Sequence, residues 1–275
     1  MRTTFRQDPT GSPILDLRQA ATKRAVDLPD LPELSDDARG MAIRTWRGRM
    51  VNEHISAQVW GALVGQLMRA ALPPDVLSGV ADAVCDELRH AELCAAVVQA
   101  LGGTAVARLP PLEAVPMHPE VSPLEGALRN IISVGCMSET IAVSIIRAEQ
   151  AELEGSALGS VLSSILADEV AHARLGWRVL GLCAPLLDDD TRERLSTYLI
   201  EAFAHQVAHE LPKLPVLGVV AEDAAAAGVC DGGFARDVFF DTMETVIVPG
   251  LEKAHLAARP AWDAALARSA SLLSA

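Results

Sequence analysis

The sequence is short of aromatics and almost free of lysine. Phe, Trp and Tyr make up 4% of its 275 residues, and Tyr198 is the single tyrosine. Hydrophobic residues make up 50%, so the core must be built mainly from Ala, Leu and Val, a composition that favours helices over sheets. Lysine occurs only as Lys23, Lys213 and Lys253, and the formal net charge is -13. A negative surplus of that size argues against nucleic acid and anionic membrane surfaces as partners. The five cysteines, Cys85, Cys94, Cys136, Cys183 and Cys230, form no C-x-x-C pair. That excludes rubredoxin-type and zinc-ribbon modules and fits free thiols in a reducing cytoplasm. The opening MRTTFRQDPTGSPILDL lacks the apolar stretch of a secretory signal. No run of about 18 uncharged apolar residues reads as a membrane span. The expected location is cytoplasmic.

No stretch of useful length alternates apolar with polar residues, so strands are not expected. Residues 1–35, rich in Pro and Asp, read as an irregular arm, and 36–275 as a single helical domain. Ser35-Asp36-Asp37 supplies N-cap chemistry for a helix over about 40–71, stopped by Leu72-Pro73-Pro74. Asp75 opens a second, ended by Gly102-Gly103. Residues 104–122 carry Pro110, Pro111, Pro116 and Pro119 and form a connection long enough to cross the end of a bundle. A third helix is expected over 123–153 and, after the break at Gly155-Ser156, a fourth running to about Cys183. A fifth over 188–210 precedes C-terminal helices over 235–257 and 260–273. The expectation is all-α: two helical hairpins forming a core bundle over 40–183, with a C-terminal helical extension over 188–275.

Against this apolar scaffold two stretches stand out, Asp86-Glu87-Leu88-Arg89-His90 and Asp168-Glu169-Val170-Ala171-His172. Glu and His three apart share a helix face, so each pair can reach one point. Roughly half an E-x-x-H match is expected by chance at this composition, so a lone match is weak, and a preceding Asp makes each about fifteen times rarer. A third match, Glu252 to His255, lacks that Asp and reads as an exposed face. Glu53 and Glu139 interrupt the first and third helices at similar distances before the two motifs. Glu139 and Glu169 lie about equally far from the Gly155 turn, so a hairpin brings them level. Glu53 and Glu87 are less evenly placed about Pro73. Four carboxylates and two imidazoles buried together are intolerable unless paired or coordinated. Two divalent cations neutralise the four carboxylates, and mixed O/N donors suit iron or manganese better than a closed structural zinc site.

This arrangement resembles the ferritin-like di-iron carboxylate superfamily, in which two helices each give a Glu and two others each give Glu-x-x-His. Within it, D-E-x-R-H preceded by a Glu is similar to the di-iron hydroxylase subunits of bacterial multicomponent monooxygenases. The second motif departs, with Ala171 where an Arg is expected. The resemblance covers 40–183 and implies a ferritin-like four-helix bundle. It implies Glu53, Glu87, His90, Glu139, Glu169 and His172 as ligands of two iron ions, with Glu87 and Glu169 as bridges; manganese or a mixed pair suits the same donors. Asp86 and Asp168 would orient the imidazoles and Arg89 would offset their charge. No further catalytic residue is assigned. Cys94, Cys136, Val143 and Ile165 are expected to line an apolar pocket, the two cysteines as packing. Tyr198 lies beyond the four core helices, so a tyrosyl-radical enzyme is not expected, and Ile165 stands where the arylamine N-oxygenases carry a seventh ligand.

Two functions fit. One is a cytoplasmic non-haem di-iron oxygenase or oxidase of monooxygenase type. It would need O2, a small apolar substrate and an external electron donor, and no nucleic acid or membrane partner. The other is a ferroxidase handling iron. About 90 residues beyond the fourth helix favour the covered, substrate-shaped site of the oxygenase. Bundles of this type often form homodimers. Glu201, His205 and His209 share a face of the fifth helix and read as a solvated or subunit-facing stripe, and Trp60 as core packing.

Overall fold

Short polar side chains cap three of the four helices longer than 20 residues, and a proline opens the other. The computed structural model describes Gln7, residues 11–216 and residues 218–269. Part of the stretch expected to be irregular is ordered: β1 (Ile14–Asp16) and α1 (Arg18–Arg24). Ser35 Oγ accepts from Ala38 N at 3.2 Å, and Asp36 and Asp37 sit in the positive first turn of α2 (Asp36–Arg69). Pro74 opens α3 (Pro74–Ala100), where its missing N–H costs nothing. The crossover then holds β2 (Val106–Arg108), paired antiparallel with β1. This two-stranded ribbon corrects the expectation of no strands: three residues are too few to show a period of two.

The third helix, expected as one piece, is α4 (Pro123–Ile131), a π-helical turn at Ile132–Ser138, and α5 (Glu139–Glu152). By length and composition Pro123–Glu152 could cross a membrane, but half of its most apolar window is buried inside the bundle, and it carries Glu139. Gly155, at φ 82°, makes the turn into α6 (Ala157–Cys183), whose Ser156 cap accepts from Gly159 N at 2.9 Å. Asp188 caps α7 (Asp189–Glu210), accepting from Thr191 N at 2.8 Å. Short α8 (Glu222–Ala226) follows, then α9 (Gly232–Thr242), a second π turn at Met243–Ile247, α10 (Val248–Lys253) and α11 (Ala258–Arg268). The expected helix over 235–257 is thus a segmented run, and the end of the 260–273 helix, residues 270–273, lies outside the described residues.

The pairs α2/α3 and α5/α6 pack as two hairpins, with α7 laid against α4, the first π turn and α11. The core falls into two apolar groups. One gathers Trp60, Leu63, Val80, Ile131 and Phe203, the other Trp46, Met50, Val97, Ile146 and Ile165. Along α2, α3 and α6 a polar layer separates the two, and on the third helix Glu139 joins it from between Met137 and Ile141 of the first group.

Candidate metal centre

That layer is made by the six residues singled out in the sequence. Glu53 lies 16 residues before the end of α2, and His90 lies 16 after the start of α3. Glu53 is therefore level with His90, one turn beyond Glu87, which accounts for the uneven spacing about Pro73. His90 Nδ1 stands 3.5 Å from Glu53 Oε2, 3.1 Å from Glu169 Oε1 and 3.8 Å from Glu87 Oε2. His172 Nδ1 stands 3.3 Å from Glu169 Oε2, 3.5 Å from Glu87 Oε1 and 3.9 Å from Glu139 Oε2. Donor atoms of Glu53, Glu87, His90 and Glu169 lie within 4.8 Å of one another, as do those of Glu87, Glu139, Glu169 and His172. The two groups share Glu87 and Glu169, and this carboxylate–imidazole cluster could hold metal ions.

The aspartates exchange partners between the motifs. His90 Nε2 donates to Asp168 Oδ2 at 3.0 Å, and His172 Nε2 to Asp86 Oδ2 at 3.4 Å. Arg89 donates to Asp86 at 3.0 Å and also to Asp168. One guanidinium serves both aspartates, so the second motif manages with Ala171. With Nε2–H committed in this way, the neutral ring leaves the Nδ1 lone pair facing the carboxylates.

Electrostatics show how much positive charge the cluster calls for. Burial pushes the Glu53 carboxyl up to about 8, with the charges of Glu169 and Glu87 adding to it. Burial and the same two neighbours hold Glu139 well above the usual range. Burial alone would lower His172, but Glu169 and Glu87 outweigh it and raise the imidazole to about 10. His90 is raised likewise against burial, by Glu169, Glu53 and Glu87. Glu169 is held below its ordinary value: burial opposes this, but a hydrogen bond from His172 and the adjacent His90 imidazole win. Protons thus take the place where cations would balance four carboxylates. His90 Nδ1 and Glu87 Oε2 are buried without any hydrogen-bond partner. Each such atom costs about 1–3 kcal/mol when unsatisfied, and a cation among the carboxylates would complete both. The donor set fits two divalent ions.

Trp60, expected chiefly to pack, also donates from Nε1 to Glu139 Oε1 at 3.0 Å, and its ring meets His172 edge-on at 6.0 Å. Its place two turns after Glu53 on the same face was the available signal. The four expected pocket residues do not gather on one side. Cys94 and Ile165 belong to the apolar group around Trp46, Cys136 belongs to that around Trp60, and Val143 is half-buried on α5. Burial drives both thiols well above their ordinary value, so Cys94 and Cys136 stay protonated packing groups. Two surface clefts, of about 180 and 400 Å³, are lined at Leu28, Asp30 and Glu152 and at Arg129, Tyr198 and Arg268, and by none of the six cluster residues.

The fifth-helix stripe is at the surface: Glu201 pairs with Arg268, His205 stacks on His209 at 5.5 Å, and Lys213 Nζ reaches His209 Nε2 at 2.6 Å. Glu252 and His255 are exposed, as expected.

No protein-family model matches the chain, and no curated protein matches it. A solved structure that does match is Protein 19 with aldehyde deformylating oxidase activity, from Synechococcus. It is 20% identical, covers 85% of this chain and 98% of its own, and superposes with a TM-score of 0.59. At that identity the likeness establishes architecture, so what the comparison shows is that this chain has the all-α fold of a ferritin-like helical bundle.

Proposed function

We propose that the chain is a non-haem dinuclear iron oxidoreductase that uses O2 to oxidise a small apolar molecule, drawing electrons from an external donor. The observation that carries this reading is the pair of overlapping donor groups, joined through Glu87 and Glu169, in a layer between two apolar cores. Glu53 and His90 would hold one ion, Glu139 and His172 the other, and Glu87 and Glu169 would bridge. Bound iron would supply reduction of O2, and manganese is the runner-up for the same donors. The chain's own residues do the rest. Asp168 and Asp86 keep Nε2 of His90 and His172 protonated and fix the rings. Arg89 offsets the two aspartates. Trp60 holds one oxygen of Glu139 while the apolar layers keep water from both faces. The elements after α6 serve as a cover within a single domain, with the five free thiols suited to the cytoplasm. The oxidase activity of a protein with the same fold supports such chemistry on this architecture.

The test counts Fe(II) oxidised per chain as iron load rises, in air and without reductant. The oxidoreductase reading predicts a plateau near two, one for each donor group. Continued oxidation to tens of equivalents, with ferric iron accumulating, would replace it with the ferroxidase function.

A further inference from the structure

Glu139 follows directly on the π-helical turn Ile132–Ser138. Its backbone N–H bonds to Val134 O, five residues back, where an α-helix would reach back four. The extra residue decides where Glu139 aims. Successive α-helical residues are about 100° apart around the axis, so closing the turn to α geometry would swing Glu139 away from His172 relative to the residues before it. π turns are rare and occur mostly as single turns at functional sites.

Here the support comes from outside the hairpins. Gln206 on α7 is 2% exposed, and its Nε2 donates to Ser133 O at 2.9 Å and to Ser138 Oγ at 2.9 Å. Ser138 Oγ donates in turn to Ser133 O at 3.1 Å. One amide therefore ties together the two ends of the π turn. Two turns earlier on the same helix, Tyr198 Oη meets Ser133 Oγ at 3.0 Å.

We propose that Gln206 is a positioning residue for the metal centre: by holding the π turn open it sets Glu139. The proposal rests on the dinuclear reading and makes that centre asymmetric. Glu139 belongs to only one donor group, with Glu87, Glu169 and His172, while Glu53 and His90 complete the other. Loss of Gln206 should be felt by one ion and not by its neighbour.

The probe is Co(II), titrated into the full chain and followed by its visible absorption. Wild type should bind two equivalents. Gln206→Met keeps the length of the side chain and removes both donors. One equivalent should then keep its wild-type affinity and the other weaken at least about tenfold, as for other groups that orient ligands, with a changed band for that ion alone. Ser138→Ala removes one acceptor of the amide; it should give a smaller loss at the same equivalent, and it decides the matter if Gln206→Met does not fold. Equal weakening of both equivalents, or of neither, in variants that match wild type in circular dichroism and melting, would overturn the proposal. Failure of wild type to bind two Co(II) is a separate result: it would remove the dinuclear reading, and this proposal with it.

Discussion

The contact that brings the π turn and α6, the two arms of the second hairpin, to ligand distance is glycine on glycine, and Gly176→Ala tests it. Gly135 and Gly176 lie one helical turn from Glu139 and His172 on the same faces. A Cβ added at Gly176 would sit 2.3 Å from the carbonyl carbon of Gly135, 2.5 Å from its Cα and 2.6 Å from its oxygen. All three atoms are backbone, so no rotamer change relieves them. Ordinary contact begins near 3.4 Å, so α6 and the π turn must part by about 1.1 Å. Overpacking of this kind costs roughly 1–3 kcal/mol, partly offset by a gain of up to about 1 kcal/mol when Gly becomes Ala in a helix. The expected net loss is roughly 1–2 kcal/mol, or about 2–6 °C in melting temperature for a chain of this size. Metal ligand distances tolerate only about 0.2 Å, so the separation should weaken binding much more than it weakens the fold. Gly181→Ala is the control: it lies farther along α6 and a Cβ there meets nothing within 4 Å, so it should be neutral or slightly stabilising. Melting curves and Co(II) titrations of both variants check the reasoning. A Gly176→Ala protein as stable as wild type, with unchanged Co(II) affinity, would refute it.

Arg89→Ala leaves Asp86 and Asp168 without their shared cation; metal affinity in a chelator competition should fall roughly 10–100-fold, while melting of the apo protein moves little because the pair is partly exposed. Trp60→Phe removes the donor to Glu139 and should cost about 1–3 kcal/mol in denaturant unfolding. Metal loading should quench tryptophan emission in wild type, through the ring beside His172, and much less in Trp60→Phe. Stripping metal should lower the melting temperature, since a ligand free at 100 times its dissociation constant stabilises by about 2.7 kcal/mol. A melt indifferent to metal would speak against ions held inside the bundle.

The metal-centre candidates were legible because charge in an apolar helix breaks a strong pattern. Glu53, Glu139 and the two D-E-x-x-H runs had no other reason to sit among Ala, Val and Ile, and 3.6-residue periodicity placed them on inward faces. Helix starts were legible at Ser35 and Asp188, where a short polar side chain meets the first orphan N–H groups, whereas Ser156, read only as part of a break, caps α6. The π turn was not. It adds one residue without a side-chain signature, and its support, Gln206, comes from a helix about 70 residues away. The exchange of aspartates was hidden for a similar reason: sequence puts Asp86 beside His90, and only the packing of α3 on α6 gives it to His172. Trp60 looked like packing because its ring is buried; the N–H that meets Glu139 depends on the same tertiary placement. The β1/β2 ribbon joins two three-residue pieces about 90 residues apart, below any local pattern.

The central claim is that two ions share Glu87 and Glu169. Its most direct test is the iron content per chain after anaerobic Fe(II) loading and removal of excess iron, for wild type, Glu87→Ala and Glu169→Ala. Because both carboxylates belong to both donor groups, the account predicts about two irons in wild type and fewer than one in either variant. Two irons retained in both variants would contradict it.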